Sequence, residues 1–226
     1  MFKRTSAKRR RQYKKSYTKT TRPTLALGVE NKFIDYSYAS TAIVATNTGA
    51  EADPATALSL SVMAIGDGES DRDGRKAIIT SLHVKGDVTM GSTEASVLTT
   101  PCIVRVALVL DSQSNGAQLN SEDVFLPATN VEHAFRNLQY TKRFKVLRDE
   151  LFYLNPQAGA GDGTTNDTAG VSMPINWNVN LKTPVQFSNS SAVIANVVDN
   201  SYHVIAFASA ASTAFLKYES RCRFVG

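Results

Sequence analysis

INWNVNLKTPVQF, residues 175–187, decides how this chain folds. Ile175, Trp177, Val179, Leu181, Val185 and Phe187 recur at every second position, broken only by Thr183, with Asn176, Asn178, Asn180 and Lys182 between them. A helix would scatter these apolar side chains around its circumference. A strand gathers them on one face, because successive side chains point to opposite sides. The period of two therefore predicts a half-buried strand, with Trp177 in a core and the asparagines on the opposite face.

Working outward, the same period recurs. FLKYESRCRF (215–224) sets Leu216, Tyr218, Cys222 and Phe224 against Lys217, Glu219, Arg221 and Arg223. IITSLHVKGDV (78–88) sets Ile78, Leu82, Val84 and Val88 against Ser81, His83, Lys85 and Asp87, and LSLSVMAI (58–65) sets Leu58, Leu60 and Val62 against serines. FIDYSY (33–38), CIVRVALVLD (102–111) and YHVIAFA (202–208) are more continuously apolar, as in strands covered on both faces. FKVLRDELFYL (144–154) fits strand or helix by period alone; Phe144, Val146, Phe152 and Leu154 favour a strand interrupted by its charged centre. One short helix is expected where Val131, Ala134, Phe135 and Leu138 follow the capping-type Asn130.

Between these segments lie long stretches of turn formers at 45–54, 66–74 and 155–170, the lengths and compositions of functional or interaction loops. Eight antiparallel strands with a few long connections predict an all-β, eight-stranded antiparallel jelly-roll sandwich. At 226 residues the chain suits one such domain, 29–226, preceded by a basic tail, 1–28.

That tail holds the charge. Lys3, Arg4, Lys8, Arg9, Arg10, Arg11, Lys14, Lys15, Lys19 and Arg22 all precede the first carboxylate, Glu30, so the formal net charge of +5 divides into +10 on residues 1–22 and −5 on the rest. Such a segment repels itself and buries nothing, so it is expected to be disordered until a polyanion meets it. A phosphate backbone is its natural partner, through counterion release, and Tyr13 and Tyr17 could stack on unpaired bases. A solvated extension is the plain alternative. Lys8, Arg9, Arg10, Arg11, Lys14 and Lys15 also read as a nuclear-import signal, a role compatible with nucleic-acid binding. A mitochondrial transit peptide would need an apolar helical face that Ala7, Tyr13 and Tyr17 barely provide.

Other function classes find little support. No apolar run reaches the roughly 18 residues of a membrane span, and no apolar signal core follows the charged start, so a soluble intracellular product without membrane insertion is expected. Cys102 and Cys222 are too few for a disulfide scaffold and read as buried thiols. His83, His133 and His203 form no metal-spaced pair, and no nucleophile motif occurs, so no catalytic residue and no cofactor is assigned. GAGDG (159–163) lacks the Lys-Ser/Thr ending of a phosphate loop. Glu69, Asp71, Asp73 and Gly74 mimic the start of a calcium loop, but its twelfth position is Thr80, so a solvated turn is the better reading and no metal site is assigned.

Four stretches together carry a family likeness: the Arg-rich start, DRDGRKAIITSLHVKGDV (71–88), VRVALVLDSQSNG (104–116) leading to FRNLQYTKRFKVLRDE (135–150), and AFASAASTAFLKYESRCRFVG (206–226). In the middle pair a hydrophobic strand ends in Asp111, Asn115-Gly116 follow, and an RF-x-VL-x-D element runs from Arg143 to Asp149. In their order and spacing the chain resembles the capsid proteins of small circular single-stranded DNA viruses, the circovirus and geminivirus group. The resemblance implies a jelly-roll subunit of a small icosahedral shell, of T=1 size, with its basic tail inward on packaged single-stranded DNA. It also implies a virion protein that visits the host nucleus through the host import machinery and meets a host receptor of unknown identity. Two readings compete with self-assembly: a non-viral nucleic-acid-binding β-sandwich, monomeric or a small oligomer, and an enzyme with a basic tail.

Overall fold

The computed structural model describes residues 30–43, 59–90, 101–114, 116–117, 119–126, 131–155, 172–209 and 214–226. Seven long strands form the frame: β1 (Asn31–Ala42), β2 (Lys76–Met90), β3 (Cys102–Asp111), β6 (Phe144–Leu154), β7 (Ser172–Phe187), β9 (Ser201–Ala208) and β10 (Ala214–Val225). Three short ones, β4 (Phe125–Leu126), β5 (Phe135–Arg136) and β8 (Val197–Asp199), bring the total among the described residues to ten, where sequence reading expected eight. A single turn of α-helix, α1, spans Ser121–Val124.

All ladders are antiparallel, in a five-stranded sheet ordered β1-β10-β2-β7-β8 and a three-stranded sheet ordered β6-β3-β9, with β4 and β5 paired apart. The chain passes between sheets as it goes, and its first and last strands lie side by side. This is the winding of a jelly roll, and the fold is an all-β sandwich. Burial follows the alternation. On β7, Ile175, Trp177, Val185 and Phe187 are buried, Val179 and Leu181 are half-buried on the same side, and Asn176, Asn178 and Asn180 are exposed. Strand β10 alternates likewise along its full length. Trp177 ties the two sheets together, its Nε1 donating to Glu150 Oε1 on β6 at 2.6 Å. Cys102 and Cys222 are both buried and form no disulfide among the described residues, and burial pushes the Cys222 thiol well up, which makes it unreactive.

Four sequence expectations are corrected. Residues 59–64 form no strand: Leu60 and Val62 are buried, but so are Ser59 and Ser61. The two serine hydroxyls bond each other at 2.7 Å, the Leu60 N–H donates to Tyr202 O at 2.8 Å, and the Tyr202 N–H donates to Ser61 Oγ at 3.3 Å. Serine hydroxyls offer the backbone partners outside a ladder, so this segment seals the free edge of β9 as a turn. Ile78 is exposed, and Ile79 takes the inward place, because a bulge between Ile79 and Ser81 shifts the register by one residue.

Strand β1 is not covered on both faces, being an edge strand with Phe33 in solvent. The helix expected around 131–138 is absent: residues 131–133 turn, Phe135 enters β5, and Leu138–Tyr140 make a 3-10 turn. Val131 and Ala134 are buried, but Phe135 and Leu138 are 77% and 80% exposed, so no continuous helical face meets a core. Asn130 lies outside the described residues.

The continuous apolar runs of β3 and β9 are explained by a second core. On the outer side of the three-stranded sheet, Ala107, Val109, Ile205 and Phe207 pack against Leu119, Val124, Phe125 and Val131 of the long β3–β6 connection. That connection is held by two bidentate ion pairs. Arg143 Nε and Nη2 donate to Asp111 at 2.9 and 2.8 Å, and Arg105 Nε and Nη2 donate to Asp149 at 2.8 and 2.7 Å. Arg105 also donates to Ala134 O at 2.7 Å and stacks over Phe125 at 4.2 Å. Gly116 takes φ +67°, and a Cβ there would lie 2.9 Å from Ala195 O, so only glycine fits. The Asp111, Gly116, Arg143 and Asp149 of the family-like motif thus close the excursion over the second core.

Candidate nucleic-acid interface

The ten tail cations, Lys3, Arg4, Lys8, Arg9, Arg10, Arg11, Lys14, Lys15, Lys19 and Arg22, lie outside the described residues, as do the loops 45–54 and 156–170. The structure does fix where the tail joins the body. Strand β1 begins at Asn31, opposite Val225 of β10, at one end of the five-stranded sheet. At that corner Lys32 is buried and donates to Asp73 at 2.6 Å, a bond that raises its pKa.

Beside this corner lies the solvent face of the same sheet. Ladder registers set its side chains in rows across four strands: Phe33, Arg223, Ser81 and Asn180; then Asp35, Arg221, His83 and Asn178; then Ser37, Glu219, Lys85 and Asn176. In the second row Arg221 grips Asp35 with two bonds of 2.7 and 2.6 Å and sits 4.8 Å over the Phe33 ring. That grip holds the Asp35 carboxyl below its ordinary pKa and raises the Arg221 guanidinium. His83 Nε2 lies 3.0 Å from Asn176 Oδ1. Between Asp35, His83, Lys85, Glu219 and Arg223 the face dips into a shallow depression.

The enzyme-type groups do not converge. His83 is on this open face, His133 is exposed near Glu132, and His203 is fully buried with Nε2 2.7 Å from Ser201 Oγ. Among the described residues no group of three His, Cys, Asp or Glu could hold a metal ion.

The acidic loop 66–74 is organised from within by a basic residue. Arg72 is completely buried, donates to the carbonyls of Met63, Gly74 and Asn189, and lies 4.1 Å over Phe187. Desolvation lowers its pKa. Asp71 Oδ2 accepts from the Gly68 N–H at 3.3 Å, and Asp73 is taken by Lys32. Sequence reading noticed the carboxylates of this loop and missed Arg72; an arginine inside a Gly-Asp turn was the available signal.

Exposed apolar side chains gather elsewhere, on the β3–β6 connection. Leu126 and Phe135 face each other across β4 and β5, and Leu138 and Tyr140 follow, all in solvent. No helix of the described residues is long and apolar enough to cross a membrane. In comparisons with known proteins, no family model matches the chain and no curated protein matches its sequence.

Proposed function

We propose that this chain is a viral capsid protein, a jelly-roll subunit that self-assembles into a small icosahedral shell and packages single-stranded DNA through its Lys/Arg-rich tail. The observation that carries the reading is the division of charge, ten unopposed cations on residues 1–22 joined to a sandwich of net −5. A body of that sign repels phosphate at long range, so genome binding falls to the tail. The exposed Leu126, Phe135 and Leu138 suit contacts between copies, since apolar clusters of this kind mark interaction surfaces. Within the same reading, Lys8 to Lys15 serve import into the host nucleus, and the finished product is a virion that binds a host receptor.

Electron microscopy of the purified full chain tests assembly. Closed spherical particles are expected; a monomer under all assembly conditions would favour a non-viral nucleic-acid-binding sandwich. Oligonucleotide binding across a salt series tests the tail. Ten contacts to a single strand give a slope of log K on log salt of about −7, so a fourfold rise in salt weakens binding about 10⁴-fold. Binding indifferent to salt would remove the tail from this role.

A further inference from the structure

We infer that the solvent face of the five-stranded sheet is a second contact for single-stranded nucleic acid, in which Arg223, Lys182 and Lys85 hold phosphates while Phe33, Asn178 and Asn180 meet unpaired bases. The inference rests on the packaging function proposed above and extends it from the tail to the folded body.

Three observations converge on this face. The first is its local charge. Although the body as a whole is acidic, cations outnumber carboxylates on this face: Asp35 is gripped by Arg221, and Glu219 shares the face with Lys85, Lys182 and Arg223. Lys85, Lys182 and Arg223 are exposed and make no ion pair within the described residues. The second observation is position. The row of Phe33 and Arg223 contains no acid and lies next to the start of β1, where the ten-cation tail is tethered. A strand held by the tail is therefore delivered to this end of the sheet at high effective concentration, so even a weak contact is populated.

The third observation is chemistry and pitch. Side chains on one face of a sheet repeat about every 7 Å along a strand and about 5 Å across it, a regular grid matched to a chain of repeating nucleotides. Asn176, Asn178 and Asn180 form an exposed column of amide groups; Asn176 is engaged by His83, and Asn178 and Asn180 are each able to donate and accept at a base edge. Phe33 offers a ring at the sheet edge. Watson–Crick base edges are free only in a single strand, and open sheets bearing aromatic and cationic side chains are a known way of holding one. A sulfated polysaccharide would use the cations alone and leave the asparagine column without a role.

The test uses the full chain, a fluorescent oligo-dT of about twenty nucleotides, and two variants: Arg223→Gln with Lys182→Gln and Lys85→Gln, and a tail variant with its ten Lys and Arg changed to Gln. If all three face cations contact phosphate, the face variant flattens the salt slope by about 2 and weakens binding roughly a hundredfold at 0.1 M salt. The tail variant keeps weak binding with a slope near −2. Photo-cross-linking of thio-substituted oligo-dT to the unmodified chain is expected to label peptides containing Phe33 and Asn178, a readout that does not depend on a variant folding. Native affinity and slope in the face variant, with cross-links confined to residues 1–29, would overturn the inference and leave the tail in place. Native binding by the tail variant would remove the tail instead. Assembled face-variant particles that lose heparin retention but package nucleic acid normally would put the face on the outside, which also overturns the inference.

Discussion

Removing one partner of the Asp111–Arg143 pair should be far more damaging than removing both. Asp111 is completely buried and, among the described residues, its carboxylate accepts three hydrogen bonds, from Arg143 Nε at 2.9 Å, Arg143 Nη2 at 2.8 Å and the Gln113 N–H at 2.9 Å. The pair raises the Arg143 pKa, with the hydrogen bond to Asp111 the largest cause. Arg143→Met leaves a buried carboxylate facing a single N–H, and Asp111→Val strands a guanidinium whose side chain is 27% exposed. Either change is expected to cost about 3–5 kcal/mol, a large part of the roughly 5–15 kcal/mol that holds a typical domain. With a urea slope of about 2–3 kcal/mol/M, the midpoint should fall by about 1–2 M. The double variant places apolar groups opposite each other and, among the described residues, orphans the Gln113 N–H alone, a loss of about 1–3 kcal/mol. Urea unfolding of subunits kept dissociated, followed by the fluorescence of the sole tryptophan, measures all three variants. Additive losses, or single variants within about 1 kcal/mol of the native chain, would show that the pair does not hold the β3–β6 excursion.

Three further outcomes are expected. Gly86→Ala puts a Cβ against the Lys217 carbonyl and 2.6 Å from Tyr218 Cβ, so β2 and β10 must move apart. A loss of about 1–3 kcal/mol in thermal or urea unfolding is expected, and a neutral result would contradict the packing described. Asp35 has a folded pKa below its ordinary 3.8, so the stability it adds is present above that value and disappears as pH falls through the folded one. Because both partners are about half exposed, the effect is small and screened by salt. Amide exchange in β1 should accelerate on acidification, and an unchanged acid profile in Asp35→Asn would refute the assignment. Trp177, 3% exposed and hydrogen-bonded to Glu150, should emit at short wavelength in the native chain and shift to the red on unfolding; a solvent-like native spectrum would place it outside the core.

The amino-acid sequence by itself determined what is local. A period of two needs no knowledge of neighbours, so the strand character of β2, β7 and β10, and the inward faces of β7 and β10, could be read directly; β3 and β9 showed as continuous apolar runs, and β6, ambiguous by period, through Phe144, Val146, Phe152 and Leu154. The tail's charge was equally plain, because it depends only on which residues occur. Tertiary structure decided everything that depends on which segments become neighbours. Ser59 and Ser61 alternate with Leu60 and Val62 like a strand, but become an edge seal because β9 presents Tyr202 to them. Ile78 and Ile79 are adjacent apolar residues that no pattern can rank; the bulge between β2 and β7 turned one out and one in. The spacing of Val131, Ala134, Phe135 and Leu138 suits a helix, but the Arg105 guanidinium binds the Val131 and Ala134 carbonyls and β5 pairs with β4, which holds that segment in turns. The pairing of Arg105 with Asp149 and the alignment of Phe33, Arg223 and Asn180 have the same origin. Contacts between residues tens to hundreds of positions apart are set by ladder register, and register emerges only when the whole sheet is assembled.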